Sequence, residues 1–460
     1  MGIIAKTSGT AVYQKIKLYL IRLLALLLPF SAEVPVRGST MLSVPTEPLI
    51  VILALFFLFD LASDRQPYLQ LFKREGLWLI PLAAAFVIST IFSVMPLVSL
   101  KFSLINALFI FVFFVGFTQL FAESPAIFRE LLLIFTAGLA LVLCWGLFWY
   151  WHYGWNPVVV RGIFHPFFKD HTIFGASAAL LSAFWIGQRF LVREKKRRLM
   201  FFLVGLICIL CVLISSGRAA FLSLLVSAAV FALLWMRVRF LYLAIAVMLV
   251  AATLWIVRSP VIERMQQVEM TSDDPSLGWV ERKGTVANIS TDVSNLERLN
   301  RWVSAWRMFR ERPFTGFGPG TYQFEYIPYQ EPSLMNRLTV TDPFDIPEGS
   351  GGTAHSEYFL ALSEMGIPGI ASWLLLMGRF VWIAFTRRKS KTGRLEIQIA
   401  FVALSTYFFH ALFNNFLTTD KFAFLFWGMA AWFIANSYIA EDIQIKGPTK
   451  NEQVPCEMTT

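Results

Sequence analysis

Three stretches of this 460-residue chain combine residue types and spacings suited to chemistry on an anion. "SSGRAAF" puts Arg218 between two apolar runs with no room for a loop. A guanidinium at such a junction is costly to desolvate and marks a candidate site. "ERLNRWVSAWRMFRERPFTGFGPGTY" carries Arg298 and Arg301 one turn apart, followed by three glycines (Gly316, Gly318, Gly320) that imply a tight turn or a close backbone approach. "GGTAHSEYFLALSEMGIPG" puts His355, one of only five histidines, just ahead of a short amphipathic helix, with Thr353 or Ser356 as its N-cap. The free N–H groups and dipole of a helix start favour an anion there. Arginine forks grip diphosphate oxygens bidentately and stay charged. A neutral histidine can take a proton from a hydroxyl near neutral pH. Together these groups suit transfer of a glycosyl or phosphoryl group from a diphosphate without a metal or other cofactor.

A fourth stretch, "YWHYGWNPVVVRGIFHPFFKDHTIFGA", is rich in aromatic residues and carries Arg161, His165, Lys169, Asp170 and His171. It is suited to lining a sugar- or lipid-facing cleft. Arg161, Lys169, Asp170 and His171, with Arg301 and Gly318, are the candidate substrate-binding residues. Arg307, Arg310 and Arg312 read as solvated helix arginines, and His410 as a polar residue packed in a span.

The elements that position these residues are membrane helices. The chain is 57% hydrophobic and 15% charged, far from a soluble domain. Its apolar runs of near-span length lack the alternation of an outer-membrane barrel. The reading is an all-α membrane protein with about twelve transmembrane helices, at 17–32, 46–62, 77–94, 103–121, 128–151, 171–191, 199–215, 218–236, 239–257, 367–386, 396–415 and 421–440. The first run lacks a small-residue cleavage site and reads as a retained helix. Residues 1–257 then hold nine helices, 258–366 a large loop with its own helices and the candidate motifs, 367–440 three more helices, and 441–460 a disordered tail.

Lys and Arg cluster in alternate loops, as in "VREKKRRLM" and "TRRKSKTGR", which puts both termini in the cytoplasm and the large loop in the periplasm. The net charge of +10 is thus a topology signal and not a nucleic-acid footprint. Within the loop, "SNLERLNRWVSAWRMFRERP" reads as a helix with a Ser294/Glu297 capping box, an apolar stripe of Leu299, Trp302, Trp306 and Phe309, and Pro313 as its stop. Residues 322–352 read as an irregular flap. Cys144, Cys208 and Cys211 lie in apolar spans, Cys456 lies in the tail, and no spacing suggests a metal site.

The order of these motifs resembles the O-antigen ligase and O-antigen polymerase superfamily. Its loop pattern is an Arg, a Trp four residues on, a Pro eleven beyond that, then Gly-x-Gly; Arg298, Trp302, Pro313, Gly316 and Gly318 match. Its second pattern is a His followed by Asn or Ser, an aromatic residue with Leu, then Glu-x-Gly-x-x-Gly; His355, Ser356, Tyr358, Glu364, Gly366 and Gly369 match. The chain departs from many members at the start of the sixth span, where Asp170 and His171 stand in place of an Asn.

The resemblance implies a metal-independent, inverting glycosyltransferase of the type C membrane fold in the bacterial inner membrane. The donor would be a glycan on undecaprenyl diphosphate, and the acceptor either lipid A-core (ligase) or another repeat unit (polymerase). By the same resemblance Arg218 and Arg298 hold the diphosphate and His355 activates the acceptor hydroxyl. A lipid-linked glycan flippase or exporter would instead need charges along a cavity in mid-membrane and internal repeats. A structural scaffold would leave the Arg and His residues replaceable.

Overall fold

The computed structural model describes residues 8–37, 40–156, 159–238, 293–336, 338–342, 352–386 and 391–446, with the single residues 242, 248, 249 and 253. Apart from those four residues the expected ninth span lies outside the described residues, as do the start of the large loop (258–292), residues 343–351 of the expected flap, and the tail beyond 446 with Cys456.

Helix α1 (Ser8–Leu27) begins nine residues before the expected first span and ends where Pro29 interrupts the backbone ladder. A two-stranded antiparallel hairpin follows, β1 (Ala32–Arg37) against β2 (Thr40–Val44). Then come α2 (Thr46–Ser63), α3 (Gln66–Ile91) and α4 (Pro96–Phe109). A π-helical stretch (Ile110–Gly116) carries α4 into α5 (Phe117–Glu123), packing Gly116 so closely on Phe57 that a Cβ would lie 2.7 Å from its ring. Helices α6 (Ala126–His152), α7 (His171–Gln188), α8 (Lys195–Ile214) and α9 (Arg218–Trp235) complete the first part. The loop helix α10 (Val293–Glu311) is followed by single helical turns. Helices α11 (Glu357–Thr386), α12 (Lys391–His410) and α13 (Asp420–Lys446) close the chain.

Seven of these helical segments are long and apolar enough to cross a membrane: Thr46–Ser63, Gln66–Ile91, Pro96–Glu123, Ala126–His152, Lys195–Ile214, Arg218–Trp235 and Glu357–Thr386. Helices α1, α7, α12 and α13 coincide with four further expected spans. The last helix continues to Lys446, six residues beyond the expected start of the tail. The hairpin at 32–44 departs from the purely helical expectation.

One buried apolar core runs through the bundle, and its ionisable side chains pair with one another. Lys17 reaches Asp60 at 2.7 Å, and Arg22 reaches Glu130 at 2.7 Å. Glu75, fully buried on α3, accepts two bonds from Arg379 of α11 (2.7 and 3.1 Å), one from Trp78 Nε1 (2.8 Å) and one from the Tyr438 hydroxyl (2.9 Å). A carboxylate so deep is tolerable because its lone pairs are all engaged.

The loops between α1 and α2, α3 and α4, α6 and α7, and α8 and α9 meet the large loop and the α12–α13 turn at one end of the bundle. Lys169 Nζ lies 3.4 Å from Glu33. Ser31 and Thr46 both donate to Asp420. Phe317 O accepts the Val94 N–H at 3.0 Å. The paired charges above sit toward the other end.

Candidate functional site

The site is built around the turn that follows α12. The carbonyl of Ala411 accepts the Glu357 N–H (2.9 Å) and the Ser356 hydroxyl (3.2 Å), which pins the strap before α11 to the end of α12. Ser356 also accepts the Phe359 N–H at 3.5 Å, so it is the cap of α11. Glu357 Oε1 in turn accepts the N–H groups of Phe416 (3.0 Å) and Leu417 (3.2 Å).

From the other side Arg301 Nη1 donates to Thr353 O at 2.6 Å, and the Thr353 hydroxyl donates to Asn415 Oδ1 at 2.8 Å. His355 therefore rides on a strap clamped at both flanks. Its own φ is +48°, a left-handed conformation that favours glycine or asparagine. A half-buried histidine held there is strained backbone at a candidate reactive residue.

Arg298, one turn before Trp302 on α10, is half-buried and donates to Asn295 Oδ1 at 3.4 Å. Its charge and that of Asp170 both act on the ring of His410. His410 is 1% exposed, its Nε2 lies 3.0 Å from Asn414 Nδ2, and its Nδ1 is buried with no partner among the described residues. His410 is packed, as its place in an apolar span suggests, and it stands next to Ala411, whose carbonyl holds the His355 strap.

Arg218 is the first residue of α9. The preceding Ser216 has φ +53°, and Ser215 Oγ accepts the Gly217 N–H at 3.3 Å. This turn presses on α7 at Gly175, where a Cβ would lie 2.5 Å from Ser215 Oγ. Gly175 is one helical turn past His171, so Arg218 opens α9 beside the start of α7.

The other candidates divide. Asp170 caps α7, accepting the Thr172 N–H at 2.7 Å and facing His171 Nδ1 at 3.1 Å. Burial pushes its carboxyl up, but the His171 hydrogen bond and charge, with the Thr172 N–H, hold it well below the usual carboxylate range. Lys169 is exposed and pairs with Glu33, while Arg161, also exposed, ends the turn Val159–Arg161 of the same loop.

Arg301 and Gly318 are held by contacts within the loop. Arg301 is 1% exposed, pairs with Glu297 at 2.7 Å and lies 5.4 Å from the Tyr326 ring, so it braces the loop. Gly318 donates its N–H to Glu364 O (2.9 Å), and its carbonyl accepts from the Thr321 hydroxyl (2.7 Å). A Cβ there would meet Ser93 Oγ at 2.1 Å.

Two details of α10 also differ from expectation. Glu297 accepts from Arg301 and Thr339, and its expected capping partner Ser294 lies inside the helix rather than ahead of it. The buried face carries Asn300, Arg301, Ser304, Ala305 and Met308, while Trp306 of the expected stripe is 49% exposed. Polar groups win the inner face because the flap satisfies them: Asn300 Oδ1 accepts the Glu331 N–H at 2.7 Å, and Tyr322 donates to Arg301 O at 2.8 Å. Trp302 stacks on Phe359 at 5.4 Å, which joins α10 to α11.

Sequence reasoning read Glu364 only as a motif position. It is buried, and its Oε1 accepts the Tyr322 N–H at 3.0 Å, closing the glycine turn onto α11. Pro313 O accepts the Ile367 N–H at 2.7 Å, and the Phe317 N–H donates to Ser363 O at 3.1 Å. Gly366 breaks α11 with φ +63° and ψ −154°, and a Cβ on it would lie 2.4 Å from Pro313 O. Gly366→Ala is therefore expected to destabilise the docked loop by about 2–4 kcal/mol. Faster tryptic cleavage after the α10 arginines and a lower melting temperature would show it; unchanged cleavage would refute the docking role.

No curated protein matches the chain. The family model described as O-antigen ligase matches residues 203–374. That stretch runs from within α8 through the Arg218 turn, α10 and the His355 strap into α11, and over it the chain is similar to the O-antigen ligase family.

Proposed function

We propose that this protein transfers a glycan from undecaprenyl diphosphate to a sugar hydroxyl of lipid A-core at the periplasmic face of the bacterial inner membrane. The family match supports a glycan transferase of the O-antigen ligase or polymerase type, with a lipid-linked donor and an acceptor as partners. The observation that carries the finer reading is the clamped strap: His355 is fixed between α10, which bears Arg298, and the end of α12.

In this reading His355 takes the proton of the acceptor hydroxyl as its oxygen attacks the anomeric carbon. The bond from that carbon to the diphosphate oxygen breaks, its electron pair stays on the oxygen, and the configuration inverts. Arg218 and Arg298 hold the departing diphosphate and offset its growing charge. The basic loops put this end of the bundle outside and the termini inside. A repeat-unit polymerase would use the same groups on a different acceptor.

The test uses the purified full-length protein with undecaprenyl-diphosphate glycan, lipid A-core and a chelator. Release of undecaprenyl diphosphate with glycosylated core is expected, and equal release by a protein carrying both Arg218→Ala and His355→Ala would sink the mechanism. Loss of transfer on chelation would overturn the metal-free scheme. Growth of the donor chain without use of the core would identify a polymerase.

A further inference from the structure

The end of the bundle away from His355 holds a second feature. The C-terminal end of α9, the end of α11 and the start of α12 surround a small, partly open notch of about 20 Å³. We propose that this notch binds the phosphate of an anionic membrane lipid.

Arg237, Arg394 and Gln398 supply its polar wall, Leu234 and Phe385 its apolar one, and none of the described residues lining it is acidic. The acid nearest Arg394 in sequence, Glu396, is taken by Arg129 at 3.7 Å. Arg394 Nε is buried and meets no partner among the described residues. A buried guanidinium N–H without an acceptor is unfavourable unless a ligand completes it.

Arg237 is exposed and has φ +56°, a position where glycine would serve the backbone better. An arginine kept in that conformation at the mouth of a basic notch points to a task for its side chain. The volume admits little more than a water-sized group, enough for a phosphate oxygen and too little for a sugar ring or a base.

A lipid is favoured over a free anion by what surrounds the notch. Trp235 is 78% exposed and Met236 60%, just before Arg237, and Trp382 of α11 is 53% exposed. Tryptophans so placed anchor at the level of lipid headgroups, where basic recesses between helices take anionic heads. The feature is independent of the transfer reaction: α9, with 18 residues, spans about 27 Å between Arg218 and the notch.

The test compares the full-length protein with Arg237→Gly, Arg394→Gln and the double variant. Each is measured in micelles containing phosphatidylglycerol, in micelles containing phosphatidylcholine, and in the latter with excess inorganic phosphate. Melting temperature and lipid retained in native mass spectra are the readouts. Phosphatidylglycerol should raise the melting temperature of the unaltered protein, inorganic phosphate should not, and the double variant should retain about tenfold less phosphatidylglycerol.

Arg237→Gly should melt in phosphatidylcholine no lower than the unaltered protein, because glycine relaxes the left-handed turn; its lost response is then not misfolding. Equal retention by the double variant, no response of the unaltered protein to phosphatidylglycerol, or a matching response to inorganic phosphate would each overturn the lipid assignment.

Discussion

Replacing His355 by Asn is expected to lower glycan transfer roughly 100- to 10,000-fold, the range for loss of a positioned general base, while leaving the fold intact. Asparagine is the informative choice because His355 has φ +48°. Asn tolerates that conformation better than most residues, so the strap between Thr353 and Ser356 keeps its clamps to Arg301, Asn415 and Ala411. Melting temperature should stay close to that of the unaltered protein, and binding of the lipid-linked donor should persist. An Asn variant that transfers at the normal rate would show that the histidine is there for the turn alone.

Changing Arg218 to Ala should cost roughly 100- to 1,000-fold in turnover, the scale set by removing a donor to a departing oxyanion. Lysine should recover only part, since one ammonium cannot reproduce the two-pronged grip of a guanidinium. Arg218 occupies the first position of α9, where the helix dipole disfavours a cation by about 0.3–1 kcal/mol. Melting temperature measured beside transfer on the Ala variant separates a role in the reaction from one in the scaffold. A large fall in melting temperature with transfer intact would assign Arg218 to the scaffold instead.

Much of the fold was legible in the chain because its causes are local. Runs of apolar residues near span length become helices, and Pro29 and Pro313 stop two of them within a few residues. The glycines of "GFGPG" signalled close approach, and the first of them packs on α11: a Cβ on Gly316 would lie 2.2 Å from the backbone of Glu364. The hairpin at 32–44 was not legible, since short strands inside a loop carry too little pattern to stand out from irregular chain.

The site shows the same divide. Arg218, Arg298 and His355 stood out by type and spacing. Glu364, Glu357 and Asn414 did not, because their partners lie 42, 59 and 4 residues away and only the folded chain makes those contacts. Arg298 and Arg301, three apart on one helix, were told apart in the sequence only by the spacing to Trp302; in the fold Arg301 pairs with Glu297 at full burial, while Arg298 is half-buried.

By itself, then, the sequence determined the helical membrane architecture, the one large loop and the chemical types available there, because hydrophobic length, helix breakers and charge asymmetry are properties of neighbours in the chain. The tertiary structure decided which arginine braces the loop, which face of α10 turns inward, and that the turn after His410 gathers the strap bearing His355. Those outcomes depend on satisfying buried polar groups across distant segments, and that accounting closes only when the segments have met.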